Sequence, residues 1–159
     1  MAAMEPLFVA DRMLGRLARM LRLLGYDTFY SSTATVAQLQ ELARPGERIL
    51  LTRGNVQKRF PALPNIYNVK SESPPEQLRE VVEQYGLETR SGLWTRCTLC
   101  NALIEEIEKD EVREMLEPKI LQLYQEFFRC TACTHIYWRG SHVERITENL
   151  QKLLGPRAK

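Results

Sequence analysis

The chain places all four of its cysteines in two matched pairs, Cys97-Thr-Leu-Cys100 and Cys130-Thr-Ala-Cys133, separated by 29 residues. A C-x-x-C turn makes two thiolates converge, and two such turns complete a tetrahedral shell at about 2.3 Å from a metal. Four thiolates with no open position suit a redox-silent structural ion, so Zn2+ is the expected cofactor, with iron as the alternative. Free thiols or a redox pair are the competing readings, and two matched pairs with no cysteine left over speak against both. Such a site holds together a segment with little core of its own, contributing on the order of 10 kcal/mol. His135 and His142 are further candidate ligands, which four cysteines make unnecessary.

The second concentration of chemistry is LFVADRMLGRLARMLRLLGYD, residues 7–27. Asp11 closes an apolar strand and stands directly before a helix. In a parallel α/β sheet, ligands bind beyond the carboxyl ends of the strands, so Asp11 is placed to hold a divalent ion. The alternative is a helix N-cap, where aspartate is favoured. At about 100° per residue, Met13, Leu14, Leu17, Met20, Leu21 and Leu24 fall on one side of that helix. Arg12, Arg16, Arg19 and Arg22 fall on the other, with no acid between them. A solvated face is the plain reading of such a row. Arginine also offers a planar fork for phosphate, and a helix N-terminus adds backbone donors, so the row is a candidate nucleic-acid contact. Arg53, Lys58 and Arg59 follow another strand's carboxyl end and extend the patch.

The elements that position these residues follow from periodicity and turn chemistry. Strands are predicted at 7–10, 26–30, 48–52 and 65–70, and helices at 12–24 and 34–43, the latter capped by Thr33 or a neighbour. A third helix opens on a capping box of Ser73 and Glu76 and stops at Gly86. Alternating strands and helices imply an α/β fold with a parallel sheet flanked by helices on both faces. After residue 92 the pattern changes. A short acidic helix is predicted near 110–117, ended by Pro118, with strand-like segments at 121–129 and 135–139. Ser141 and Glu144 read as a second capping box opening a C-terminal helix. The expected organisation is one domain over 1–92 and a small four-cysteine zinc ribbon with its helix over 93–159.

In THIYWRGSH, alternation puts Ile136 and Trp138 on one strand face and His135, Tyr137 and Arg139 on the other. Tyr137 with Arg139 is a candidate pair for stacking on and gripping an unpaired base. His142 is open to a role as acceptor, base or joint.

These segments carry a family resemblance. ADRMLGRLARMLRLLGYDT, ILLTR, PPEQLREVVEQYGL, RCTLCN and FFRCTACTHIYWRGSH together resemble the Mut-seven carboxy-terminal RNase domain family, over nearly the whole chain. The resemblance implies a PIN-like nuclease fold with an attached zinc ribbon. It also implies Mg2+- or Mn2+-dependent RNA cleavage by carboxylates gathered at the strand ends, Asp11 matching the first of them. The chain departs from that pattern where ILLTR is followed by Gly54 rather than aspartate, and where residues 31–40, SSTATVAQLQ, carry no acid. Asp27 lies at the far end of the first helix, roughly 18 Å from Asp11. Glu72, after a strand, is the acid able to approach. Two-metal cleavage needs several anionic ligands, and one aspartate holds a single weak ion at most. The expected function is therefore RNA binding with nuclease activity weak or lost. An active Mg/Mn-dependent ribonuclease is the second reading, and a protein-interaction module with its partner on the ribbon is the third.

Composition fits an ordinary globular chain: 159 residues, 44% hydrophobic, 26% charged, net charge +2. The positive excess lies in residues 1–72, at +4, while residues 94–159 are neutral before any metal is counted. No apolar run reaches membrane length, and MAAMEPLFVADR lacks a signal-peptide pattern. An intracellular location, cytoplasmic or nuclear, is expected, where cysteines serve as metal ligands more often than as disulfides.

Overall fold

The computed structural model describes residues 4–156. Four short strands, β1 (Phe8–Ala10), β2 (Thr28–Tyr30), β3 (Ile49–Thr52) and β4 (Ile66–Asn68), form a wholly parallel sheet in the order β2-β1-β3-β4. Strand alternation divides the sheet's side chains between two cores. Phe8, Ala10 and Leu51 face one side, packed with α1 (Gly15–Leu23), α4 (Pro74–Tyr85) and α6 (Ser141–Leu154). Val9 and Leu50 face the other, with Leu39 of α2 (Val36–Leu42) and Phe60, the residue after α3 (Val56–Arg59). Helices thus cover both faces, as a parallel sheet requires.

A second, antiparallel sheet follows, β5 (Ile104–Ile107), β6 (Phe127–Cys130) and β7 (Ile136–Trp138), in that order. Its own core is small, centred on Ile107, Val112 and Phe127. This sheet lies wholly after residue 92, but α6 returns to the first core. There Leu150 is buried, with Ile146, Leu153 and Leu154 packed beside it. No described helix is long and apolar enough to cross a membrane.

Local chemistry explains where the elements differ from the sequence expectation. The first helix begins as a 3-10 turn over Arg12–Leu14, which takes Met13 out of the buried row and leaves it 51% exposed. Gly25 ends that helix at φ 99°, backed against the carbonyl of Gly92, so both conformation and space exclude a side chain. Thr35 caps α2 in a full capping box with Gln38. The boxes expected at Ser73 and Ser141 do not form. Ser73 caps α4 without a side-chain bond, the start being set by Pro74 and Pro75, and Ser141 is already the first residue of α6, with Gly140 at the cap. The acidic helix at 110–117 is only a 3-10 turn over Lys109–Val112. Pro118 starts α5 (Pro118–Leu123) rather than ending a helix, as its missing N–H allows. The strand expected at 121–129 is correspondingly cut to Phe127–Cys130.

Candidate functional site

Each cysteine pair forms a knuckle built the same way. The N–H of Cys97 donates to the carbonyl of Ala102 at 2.7 Å, and that of Cys130 to the carbonyl of His135 at 2.9 Å. The residue after each second cysteine, Asn101 at φ 76° and Thr134 at φ 61°, takes the left-handed turn that closes the loop. All four sulfurs lie within 4.8 Å of one another, with Cys97–Cys133 at 3.7 Å and Cys100–Cys130 at 3.3 Å. That spacing and donor set fit a closed tetrahedral thiolate site for a structural ion, consistent with a zinc ribbon. The Tyr137 hydroxyl lies 3.1 Å from Cys97 Sγ, so this half-buried side chain supports the metal ligands.

The first knuckle is bolted to the α/β sheet. Arg22 is 4% exposed, its Nε donating to the Thr28 carbonyl at 2.9 Å and its Nη1 to the carbonyls of Thr98 and Leu99 at 3.1 Å each. Arg22 is therefore corrected from a surface contact to an internal tie. It lies roughly 80° around the helix from Arg12, at the edge of the buried stripe. Asn101 completes the joint, accepting from the Thr28 N–H and donating to Asp27. Asp27 also pairs with Arg48 at 2.6 Å. Burial pushes Asp27's carboxyl up, but the hydrogen bonds from Arg48 and Asn101 and the nearby arginine charges outweigh it and hold the carboxyl low.

Asp11 stands at the carboxyl end of β1, beside Thr52 at the end of β3, and is 1% exposed. Both of its oxygens are engaged. Oδ1 accepts from the Arg12 backbone N–H at 2.8 Å and Arg59 Nη2 at 3.3 Å; Oδ2 accepts from Thr52 Oγ1 at 2.6 Å and Arg59 Nη1 at 2.5 Å. Burial pushes its pKa up, but the bonds from Arg59, Thr52 and the Arg12 amide, with Arg59's charge, outweigh burial and bring it below the ordinary value, so the carboxylate stays ionised. The capping reading holds, since Asp11 is the N-cap of the 3-10 turn over Arg12–Leu14, and the same carboxylate also forms an ion pair with Arg59 that the sequence does not announce. That arginine arrives on α3, a four-residue helix capped by Asn55, whose Oδ1 accepts from the Lys58 N–H. The sequence places Arg59 in a basic patch and does not reveal its partner. The one available signal is the basic helix between Gly54 and Phe60, returning toward the strand end.

A divalent ion does not fit Asp11 as it is placed. Arg59 already occupies the cation position, and the acids that would complete a cluster are elsewhere. Glu72 is 92% exposed at its side chain and pairs loosely with Arg53 at 3.8 Å. Among the described residues the four cysteines are the only group of three or more acidic, histidine or thiol ligands within reach of one another. Gly54 is exposed at φ 103°, a conformation that disfavours any side chain, with its carbonyl accepting from Asn68.

The surface around this edge is basic. Arg12, Arg16 and Arg19 are exposed, and Arg53 is half-buried, donating to the Lys70 carbonyl at 3.4 Å. Arg53, Gly54, Asn68 and Lys70, with Met13, line a shallow cleft of about 490 Å3. Arg139 is exposed at the ribbon, over the ring of Phe128 and 3.9 Å from Glu126, so it is apart from Asp11's edge. His135 stacks edge-on with Tyr137 at 4.7 Å.

A parallel sheet with helices on both faces, a basic carboxyl edge and a four-cysteine ribbon define an α/β protein with an appended zinc-ribbon module. Within that class, the chain belongs to the Mut7-C RNAse domain family, whose model matches residues 6–150. No curated protein and no solved structure matches it. Membership associates the chain with a nuclease-type, RNA-related function.

Proposed function

We propose that this protein binds RNA along the basic carboxyl edge of its parallel sheet, and that its metal-dependent nuclease activity is weak or lost. The observation that carries the reading is the Asp11–Arg59 pair. An acid placed where the family's chemistry calls for a metal ligand is neutralised by the protein's own guanidinium. Arg12, Arg16, Arg19 and Arg53 then meet phosphate without competing carboxylates, and Zn2+ in the cysteine cluster holds the ribbon against α1. The protein divides into an RNase-type domain over 1–92 and a ribbon with its helix over 93–159, and works inside the cell. An active enzyme would instead hold Mg2+ or Mn2+ at Asp11, which first requires Arg59 to leave. A protein partner on the ribbon is the remaining reading, favoured by the exposed Leu99, Leu103, Met115 and Leu123.

Fluorescence anisotropy with a labelled single-stranded RNA across a salt series separates these readings. Affinity should fall steeply with salt, and the double replacement Arg12→Glu with Arg16→Glu should flatten the logarithmic slope by about 0.7 for each phosphate no longer neutralised. Incubation of the same RNA with Mn2+ should give slow cleavage or none. Efficient Mn2+-dependent cleavage that Asp11→Asn abolishes reverses the conclusion in favour of the enzyme.

A further inference from the structure

Where α1, the ribbon and α6 meet, the surface opens into a cleft of about 430 Å3 that none of the foregoing uses. This lies within the range of roughly 300–1,000 Å3 that small-molecule pockets occupy. Its walls are largely apolar, including Leu23, Trp94, Trp138 and Val143, and both of the chain's tryptophans line it. Trp94 is held at φ 61°, an unusual backbone for a bulky residue, and its indole nitrogen is tied to Thr147 at 3.0 Å. Its ring is thereby fixed against the cleft. Arg19 and His142 line the same cleft, are exposed, and have no ion pair or hydrogen-bond partner among the described residues. The indole N–H of Trp138 likewise has no such partner. Aromatic walls edged by unengaged donors suit a flat, polar-edged ring more than an aliphatic ligand.

The cleft is also continuous with the arginine row. Arg16 and Arg19 are neighbours three apart on α1, and Arg12 heads the row in the preceding turn. Seven residues at 1.5 Å each carry the row about 10 Å, from the edge beside Asp11 to the cleft. We infer that this cleft binds one unpaired nucleobase of a single-stranded RNA whose phosphates follow Arg12, Arg16 and Arg19. The inference rests on the RNA-binding reading and gives it polarity. The base stacks on the Trp94 ring, Arg19 takes the adjoining phosphate, and His142 and the Trp138 N–H face the base edge.

Because Trp94 and Trp138 are the only tryptophans and both line the cleft, tryptophan emission reports on it and on the joint around it. The full-length protein is titrated with an eight-residue oligouridine, an abasic oligomer of the same ribose-phosphate backbone, and uridine monophosphate. Binding of the labelled oligomers is followed by anisotropy in parallel. The expected result is saturable quenching by oligouridine, with the abasic oligomer binding roughly tenfold more weakly and without quenching. Arg19→Ala should weaken oligouridine, and Val143→Phe, which fills the cleft, should remove quenching and weaken oligouridine roughly tenfold, to the level of the abasic oligomer; Arg113→Ala should change neither. If oligouridine and the abasic oligomer bind equally and neither quenches, the cleft proposal fails while RNA binding stands. If neither oligomer binds at all, both fail. Quenching by the mononucleotide as strong as by the oligomer overturns the assignment to RNA in favour of a free nucleotide.

Discussion

Removing the charge of Asp11 while leaving Arg59 in place strands a guanidinium whose side chain is only 29% exposed, and replaces one of two acceptor oxygens, both engaged, by an amide NH2 that cannot accept. Asp11→Asn should therefore destabilise the fold by about 2–3 kcal/mol in urea unfolding at neutral pH. A metal-coordinating acid in a cluster would behave oppositely, since its removal relieves repulsion between carboxylates. The double variant Asp11→Asn with Arg59→Met should recover part of the loss, giving a coupling energy outside the range of independent sites. The sign with pH follows from the depressed carboxyl. Asp11's contribution is fully present above its unfolded value and is lost as pH falls through the lower folded one. The stability gap between the natural chain and Asp11→Asn should thus narrow under acid; a gap that widens, or a variant as stable as the natural chain at pH 7, sinks the structural role. Asp11 itself was legible in sequence because an acid directly after an apolar strand has few places to go. Its partner was not, because α3 has only four residues and shows no period to read. Gly54 was legible as a missing acid but not as a backbone change. At φ 103° it has room for a side chain and the wrong conformation for one, so aspartate there costs about 1–3 kcal/mol before it can act.

Among the elements, α1 carries two populations of arginine that one helical face does not distinguish by composition. Arg16 and Arg19 face water, while Arg22 holds three carbonyls from β2 and the first cysteine knuckle. The two populations should separate in one experiment. Arg22→Leu leaves the buried Thr28 carbonyl and two part-buried ones unpaired and should cost about 2–4 kcal/mol of stability while leaving RNA affinity of the folded protein nearly unchanged. Arg16→Leu should weaken RNA binding and its salt dependence with stability within about 0.5 kcal/mol of the natural chain. Affinity unchanged in both, each fully folded, would place the RNA on a different face. The four parallel strands and α4 were readable because short apolar or aromatic segments between turn signals, Pro74-Pro75 and Gly86 all point the same way. The failures cluster in residues 104–125, where β5 carries two outward acids at its centre, Glu105 and Glu106, and where proline starts a helix that its acidic prelude suggested it would end. Those outcomes are set by the ribbon's pairing and metal geometry, which local propensity does not encode.

At the scale of the whole molecule, the ribbon and the parallel sheet share too many ties to open separately. Arg22 and Asn101 fasten the first knuckle to β2, Arg96 donates to the Gly25 carbonyl, and Trp94 reaches Thr147 on α6. Meanwhile α6, which follows the ribbon in sequence, contributes Leu150 to the core that α1 and α4 share. The ribbon's own core of Ile107, Val112 and Phe127 is too small to stand without its metal. Zinc removal should therefore be felt across the protein. Once the thiolates are unbound, the knuckle no longer presents the Thr98 and Leu99 carbonyls to Arg22, and the loss propagates into the helix that covers the sheet. A structural zinc contributes on the order of 10 kcal/mol, and each kcal/mol moves the midpoint of a domain this size by about 2–4 °C. Chelation at neutral pH should accordingly lower the thermal midpoint by more than about 10 °C. Far-ultraviolet dichroism, which follows the helices, and tryptophan fluorescence, which follows the joint, should shift together in a single transition. Two separated transitions, with the helical one unmoved by the chelator, would show instead that the first 92 residues and α6 hold their fold without the ribbon, and the coupling through Arg22 would have to be abandoned.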